Sequence, residues 1–324
     1  MTNPSPTVGT IAKLTFEPVS DNYCRVLSLD GGGAKGFYTL GVLREIEAML
    51  DCPLYKRFDL VFGTSTGAII AALIALGYEV EQIHALYKEH VPRIMKAKTA
   101  RGKSNALQKL AQDVFQDKKF GEFKTGVGIV TTKWVIEQPM IFKGSVVQAH
   151  GRTGTFADGF GCTIADAVQA SCSAYPFFKR KIVTTANGDQ VELIDGGYCA
   201  NNPTLYAIAD ATVAMKALRD NVRVVSIGVG VYPEPKPSLL YWFAKKLVSV
   251  KLLQKTLEIN TQSMDQLRVI MFKDIQTVRI SDVFEKPEMA TDLFEHNMAK
   301  LNILRQRGSE SFASREPLLR KFLC

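Results

Sequence analysis

The sequence predicts an α/β fold built on a mostly parallel central sheet with helices on its faces. Three observations predict it. Residues 24–77 read strand, helix, strand, helix, the order that sets two parallel strands side by side with a helix over them. The two strands are short apolar runs bounded by small residues, as buried strands are. Each ends in a glycine-containing turn, "DGGGAKG" (30–36) after the first and "GTSTG" (63–67) after the second, and each turn opens a helix.

Taken in order, "CRVLSLD" (24–30) alternates and runs into glycines, so it is a strand. In the stretch that follows, Leu40, Leu43, Ile46 and Leu50 recur every three or four residues and define one helix face. "FDLVFG" (58–63) is a second strand, and "GAIIAALIALG" (67–77) is a buried helix stopped by Gly77. A further helix covers about 79–95, whereas 96–125 is polar, basic and without a clear period. "GVGIVTTKWV" and "PMIFKG" read as strands. "TIADAVQASCSAYPFF" reads as a helix capped by Thr163 and ended before Pro176. Residues 181–195 form a hairpin-like pair with Asp195 closing its second strand. A helix from Pro203, a strand at 222–230 and a Pro-rich break at 232–237 follow, and the remainder is largely helical. The expected organisation is one domain over 1–324, with a motif-bearing core at 24–230 and a helical extension at 238–324.

The composition is that of a globular protein: 324 residues, 46% hydrophobic and 22% charged. The net charge of +8 favours anionic partners: lipid headgroups, nucleotides or nucleic acid. The six cysteines are scattered with no C-x-x-C pair, which argues against zinc and for reduced thiols. The first residues lack a charged stretch followed by an apolar one, so no signal peptide is expected. The longest apolar run, 68–77, is about half the roughly 20 residues of a membrane span. These features predict a cytoplasmic protein that meets membranes only from the surface.

The glycine loop contains G-x-G-x-x-G at Gly31, Gly33 and Gly36, between a strand and a helix. A dinucleotide site also needs an acidic residue at the end of the second strand. That strand ends in Gly63, and Asp51, at about the right offset, lies between helix and strand. No G-K-[ST] follows, which excludes a Walker loop. The loop fits an oxyanion hole better, because glycines let backbone N–H groups converge at a helix N-terminus. A glycine-rich turn serving only its own backbone is the plainer alternative.

Ser65 stands between Gly63 and Gly67 in G-x-S-x-G, the pattern of a nucleophile elbow. Loops after adjacent parallel strands meet at the carboxyl edge, so Ser65 and the glycine loop are expected together. Of the four histidines, His84, His90, His150 and His296, only His296 completes the order Ser–Asp–His, but it falls in a helical pattern. Asp195 is the better partner: it ends a strand and is followed by Gly196 and Gly197. A carboxylate with an ordinary pKa near 4 is a weak base for a hydroxyl, so this role asks for burial.

Together, Asp30–Gly36 (D-G-G-G-x-[RK]-G), Gly63–Gly67 (G-x-S-x-G) and Asp195–Gly197 (D-G-[GA]) resemble the patatin-like phospholipases in motif and order. "ASCSAYPFF" (170–178) and "ANNP" (200–203) are similar to that family's flanking stretches, and the match spans about 24–230. Lys35 departs from the arginine of many members and lacks its bidentate fork. The resemblance implies a three-layer α/β/α fold and a Ser65–Asp195 dyad without histidine or metal. It implies an oxyanion loop of Gly31, Gly32, Gly33, Lys35 and Gly36, with the N–H groups of Gly31–Gly33 on the oxyanion, and no required cofactor. The implied substrates are membrane glycerophospholipid esters, cleaved peripherally at the inner membrane; no DNA or RNA is expected, and the oligomeric state is left open.

Some bacterial members of similar size are antiviral effectors activated by a cyclic oligonucleotide such as a cyclic dinucleotide, and the chain is compatible with them. A housekeeping lipid esterase or a catalytically silent nucleotide- or protein-binding module of the same fold are the alternatives. The Leu-, Trp- and Lys-rich segment 238–258 could lie on lipid or pack on the core with snorkelling lysines. The basic segment 96–120 reads as a lid, an activator pocket or a solvated face.

Overall fold

A computed structural model describes residues 22–234 and 245–324, with the backbone alone for 245–250. The strands are β1 (Cys24–Leu29), β2 (Leu60–Thr64), β3 (Gly126–Lys133), β4 (Pro139–Lys143), β5 (Lys181–Thr184), β6 (Gln190–Asp195), β7 (Val222–Ile227) and β8 (Gln276–Ile280). The α-helices are α1 (Gly36–Leu50), α2 (Thr66–Leu76), α3 (Val80–Lys96), α4 (Ala100–Phe115), α5 (Ile164–Ser171), α6 (Gly197–Ala200), α7 (Thr204–Ala209), α8 (Lys245–Met271), α9 (Met298–Ala313) and α10 (Glu316–Leu323).

Strands β3, β2, β1, β7 and β8 are parallel neighbours in that order. Alternation along each strand divides its side chains between two layers. Leu27, Leu29, Val61, Ile129 and Val225 pack with α1, α2, α3 and α9 on one face. Val26, Leu60, Phe62, Val130 and Val224 pack with Ala200, Ala207 and Ile208 of α6 and α7 on the other. Each large apolar side chain buried this way contributes about 1.5–3 kcal/mol. The result is the expected three-layer α/β/α sandwich. Helix α2 is buried on all sides from Ala68 to Ala75, which explains its lack of a polar stripe, and Gly77 stops it with φ 95°.

The hairpin β5–β6 enters the sheet so as to set up the site. On one edge of β3, β2 pairs with Gly126–Val130 and stops at Thr64. From Thr131 onward β6 pairs antiparallel with β3, Thr131 opposite Asp195. Strand β4 pairs with Gly128–Thr132 and so occupies the other edge of β3. Strands β2 and β6 therefore share one edge and meet head to head, Thr64 against Asp195.

Four local readings change. The segment 96–125 contains α4, amphipathic rather than merely solvated: Leu107, Leu110, Ala111, Val114 and Phe115 are buried. Helix α5, capped by the Thr163 side chain as expected, ends at Ser171, because the carbonyls of Ser171 and Ser173 accept N–H groups from Gly196 and Asp195 instead. His296 is not helical: Asn297 caps α9 by accepting the N–H groups of Ala299 and Lys300. The last segment holds a strand, β8, short and polar in sequence, which continues the sheet past the Pro-rich break. Part of the segment 238–258 lies outside the described residues; within α8, Leu253 and Leu257 are buried and Leu252 is exposed.

Helix α9 packs on α1 at backbone contact. A Cβ on Gly308 would stand 2.0 Å from the Tyr38 carbonyl oxygen, and one on Gly41 would stand 2.0 Å from that of Arg305. Gly308→Ala is therefore expected to destabilise the protein by about 1–3 kcal/mol, through forced separation of the two helices. Thermal or urea unfolding measures this; an unchanged midpoint would mean that the helices part without loss of packing.

Candidate active site

Ser65 occupies the sharp turn between β2 and α2, with φ 53° and ψ −121°. This is the backbone of the first central position of a type II′ turn, dominated by glycine and costly for a residue with a Cβ. The flanking glycines make the turn fit: a Cβ on Gly63 would lie 2.2 Å from the Gly67 carbonyl oxygen, and one on Gly67 would lie 2.3 Å from that of Leu29. The Ser65 N–H donates to Ser171 Oγ at 2.9 Å, and that hydroxyl donates to the Val130 carbonyl at 2.6 Å.

The head-to-head strands bring Ser65 Oγ to Asp195 Oδ2, to which it donates a 2.7 Å hydrogen bond. The other oxygen, Oδ1, accepts the Gly197 N–H at 2.7 Å. A Cβ on Gly196 would lie 2.1 Å from the Val130 carbonyl oxygen. Thr132 Oγ1 donates to the Asp195 carbonyl at 3.0 Å, which ties the turn to β3. Asp195 is buried, and burial raises its pKa to about 7, opposed by the Gly197 N–H and the Ser65 hydroxyl.

The glycine loop lies beside this pair. Its entry is fixed by Asp30, whose carboxylate takes both terminal nitrogens of Arg279 on β8, Nη1 at 2.9 Å. The Gly31 N–H donates to the Asn201 carbonyl at 2.9 Å, that of Ala34 to Leu293 at 3.0 Å, and that of Lys35 to Gly32 at 3.2 Å. The Gly36 N–H donates to the carbonyls of Gly33 and Ala34. Among the described residues, the N–H groups of Gly32 and Gly33 have no such partner. Gly32 and Gly33 line a cavity of about 50 Å³ together with Ser65 and Asp195.

The expected donor set of Gly31–Gly33 thus narrows by one, because the Gly31 N–H is already engaged. Lys35 points elsewhere: its buried ammonium faces Glu258 of α8 at 3.6 Å, in a second cavity of about 160 Å³ behind the loop. The first cavity is otherwise walled by apolar side chains, including Ile69, Val91, Ile94, Leu107, Phe178 and Leu257.

The histidines are engaged elsewhere. His84 packs its ring edge-on to Phe37, and His90 is buried on the same helix, α3. His150 Nε2 is bonded to Asp210 at 2.6 Å, and His296 Nδ1 faces the Phe294 carbonyl at 3.2 Å. Sequence reasoning missed Ser171, Thr132 and Asn201. Only "ASCSAYPFF" (170–178) and "ANNP" (200–203) marked two of them, without assigning either a partner. No helix among the described residues is long and apolar enough to cross a membrane.

The family model described as patatin-like phospholipase matches residues 27–208. An Escherichia coli protein named cUMP-AMP-activated phospholipase is 72% identical over 312 residues, covering 96% of this chain and 98% of that protein. A Pseudomonas aeruginosa protein named cGAMP-activated phospholipase is 28% identical over 215 residues, 63% of this chain and 61% of its own length. The crystal structure of VipD from Legionella pneumophila superposes with a TM-score of 0.52 at 13% identity, covering 93% of this chain and 67% of that one, a likeness of fold alone. The chain belongs to the patatin-like phospholipase family.

Proposed function

We propose that this protein is a serine lipid acyl hydrolase working with a Ser65–Asp195 dyad, and that a cyclic dinucleotide switches it on. The observation that carries the reading is the 2.7 Å Ser65–Asp195 hydrogen bond beside the N–H groups of Gly32 and Gly33, which have no backbone partner among the described residues. Asp195, ionised above its pKa of about 7, takes the Ser65 proton as Oγ attacks the ester carbonyl carbon. The carbonyl electrons move to oxygen, and the N–H groups of Gly32 and Gly33 hold the oxyanion. Collapse expels the lysolipid alkoxide, which takes the proton from Asp195. Water then gives its proton to Asp195 and attacks the acyl-serine; the fatty acid leaves and Ser65 regains its proton.

The apolar cavity suits an acyl chain, but about 50 Å³ is far below the 300–1,000 Å³ of ordinary ligand pockets. Full occupancy asks its walls to separate, and a regulator that favours the wider state would act as a switch. The 72% identical relative carries cyclic UMP–AMP activation in its name, and the same activator is proposed here. A cyclic-nucleotide-triggered enzyme that cleaves the phospholipids of the cell's own inner membrane suits antiviral defence.

The test is fatty-acid release from vesicles of bacterial phospholipid, with cyclic UMP–AMP, with cyclic GMP–AMP and with no nucleotide. Release is expected with cyclic UMP–AMP and not without nucleotide. Equal release in all three arms would remove the switch, and no release in any arm would remove the hydrolase.

A further inference from the structure

We propose that Asn201 is a positioning residue for the oxyanion loop, and that helix α8 acts on the loop through it; this rests on the reading that Gly32 and Gly33 hold the oxyanion. Asn201 grips both polar groups of the Gly31 peptide backbone. Its backbone carbonyl accepts the Gly31 N–H at 2.9 Å, and its side-chain Nδ2 donates to the Gly31 carbonyl at 3.2 Å. Gly31 immediately precedes the two donors. A run of three glycines has a wide choice of conformations, so its donors stay aimed only if the chain is tied down from outside.

Asn201 is itself tied to α8 by two hydrogen bonds. Its N–H donates to Asn260 Oδ1 at 2.8 Å, and its Nδ2 donates to Thr261 Oγ1 at 2.7 Å. The Asn260 amide returns a bond to the Cys199 carbonyl at 3.2 Å. The residue type matters. The two N–H groups of Nδ2 serve the Gly31 carbonyl and Thr261 at once, which an aspartate, an acceptor only, cannot do. Asn201 is buried, so neither bond is exchanged freely for water.

The same helix reaches the other half of the site. Leu257, one turn before Thr261, walls the acyl cavity, and its Cδ2 lies 2.7 Å from where a Cβ on Gly197 would be. A small shift of α8 therefore changes the cavity wall and the aim of the oxyanion donors together.

The experiment compares Asn201→Asp, Thr261→Val and Thr261→Ser with the wild type, with cyclic UMP–AMP present. Hydrolysis of a short-chain p-nitrophenyl ester gives kcat and KM, a trifluoromethyl ketone inhibitor reports the oxyanion pocket, and melting curves report folding. Loss of a whole oxyanion donor costs about 10²–10³ in kcat, so misaimed donors are expected to cost about 10–10² in Asn201→Asp and Thr261→Val. KM should stay within about twofold, ketone affinity should fall in parallel with kcat, and Thr261→Ser, which keeps the hydroxyl, should restore both. Unchanged kcat and ketone affinity in Thr261→Val, or a change confined to KM, would overturn the proposal. If Asn201→Asp does not fold, the Thr261 pair decides. A wild type that neither hydrolyses the ester nor reacts with a fluorophosphonate would instead overturn the hydrolase reading.

Discussion

Ser65→Ala is expected to lower kcat for ester hydrolysis by roughly 10⁴-fold or more, since the proposed mechanism makes the acyl-enzyme on Ser65. The fold should survive, because the elbow is built from backbone contacts of Gly63 and Gly67 and the hydroxyl's bond to Asp195 is a side-chain one. Ser65→Gly separates catalysis from strain. Both variants lose the hydroxyl, but only glycine is at ease at φ 53° and ψ −121°. Relief of ~1–3 kcal/mol of strain, less the ~0.4–1 kcal/mol of extra unfolded-chain entropy, leaves Ser65→Gly about 1 kcal/mol more stable than Ser65→Ala. Kinetics and melting curves of the two proteins test both points. Turnover in Ser65→Ala at the wild-type rate would end the nucleophile assignment. A Ser65→Gly protein that melts no higher would mean that the elbow holds no such strain.

Much of this site is legible in the sequence. The elbow and the glycine loop each end a strand, and parallel topology gathers those two ends at one edge; Asp195 also ends a strand, but an antiparallel one. The head-to-head meeting of β2 and β6 was not legible, since it depends on where β3 changes pairing partner between Val130 and Thr131. The alternating pattern of β3 fixes the face each residue takes, not the strand that pairs with it. Strand β8 was missed because "QTVRI" buries only Val278 and Ile280 and presents no continuous apolar run. The loop's glycines suggested three donors. That Gly31 spends its N–H on Asn201 is a contact 170 residues away in sequence, which no pattern inside the motif contains. Lys35 shows the same limit: a cation in an anion-binding motif reads as a ligand, yet its side chain is turned to Glu258 behind the loop.

Asp195→Asn is expected to be almost as damaging as Ser65→Ala, and for a reason that also changes stability. Asparagine fits the same space but cannot take a proton. The Asp→Asn change in a Ser-His-Asp triad, where the aspartate orients the base and takes no proton itself, already costs roughly 10⁴-fold in kcat, and a loss at least that large is expected here. In the wild type the base must be ionised, so kcat/KM should rise with pH and level off above the Asp195 pKa of about 7. The sign for stability is the opposite. The folded state holds its proton up to about pH 7, whereas the unfolded carboxyl loses it near its ordinary value of 3.8. Between those values the native state binds more protons, so stability falls as pH rises through the window and is level above it. Each pKa unit corresponds to about 1.4 kcal/mol, and the buried charge therefore costs the wild type on the order of a few kcal/mol at alkaline pH. Asp195→Asn lacks this titration. It should lose less stability than the wild type between pH 5 and 8 and be the more stable of the two at pH 8. Melting curves and rate profiles over that range measure both effects. A flat wild-type rate profile, or a variant less stable at pH 8, would mean that Asp195 is not a strained base held ready beside Ser65.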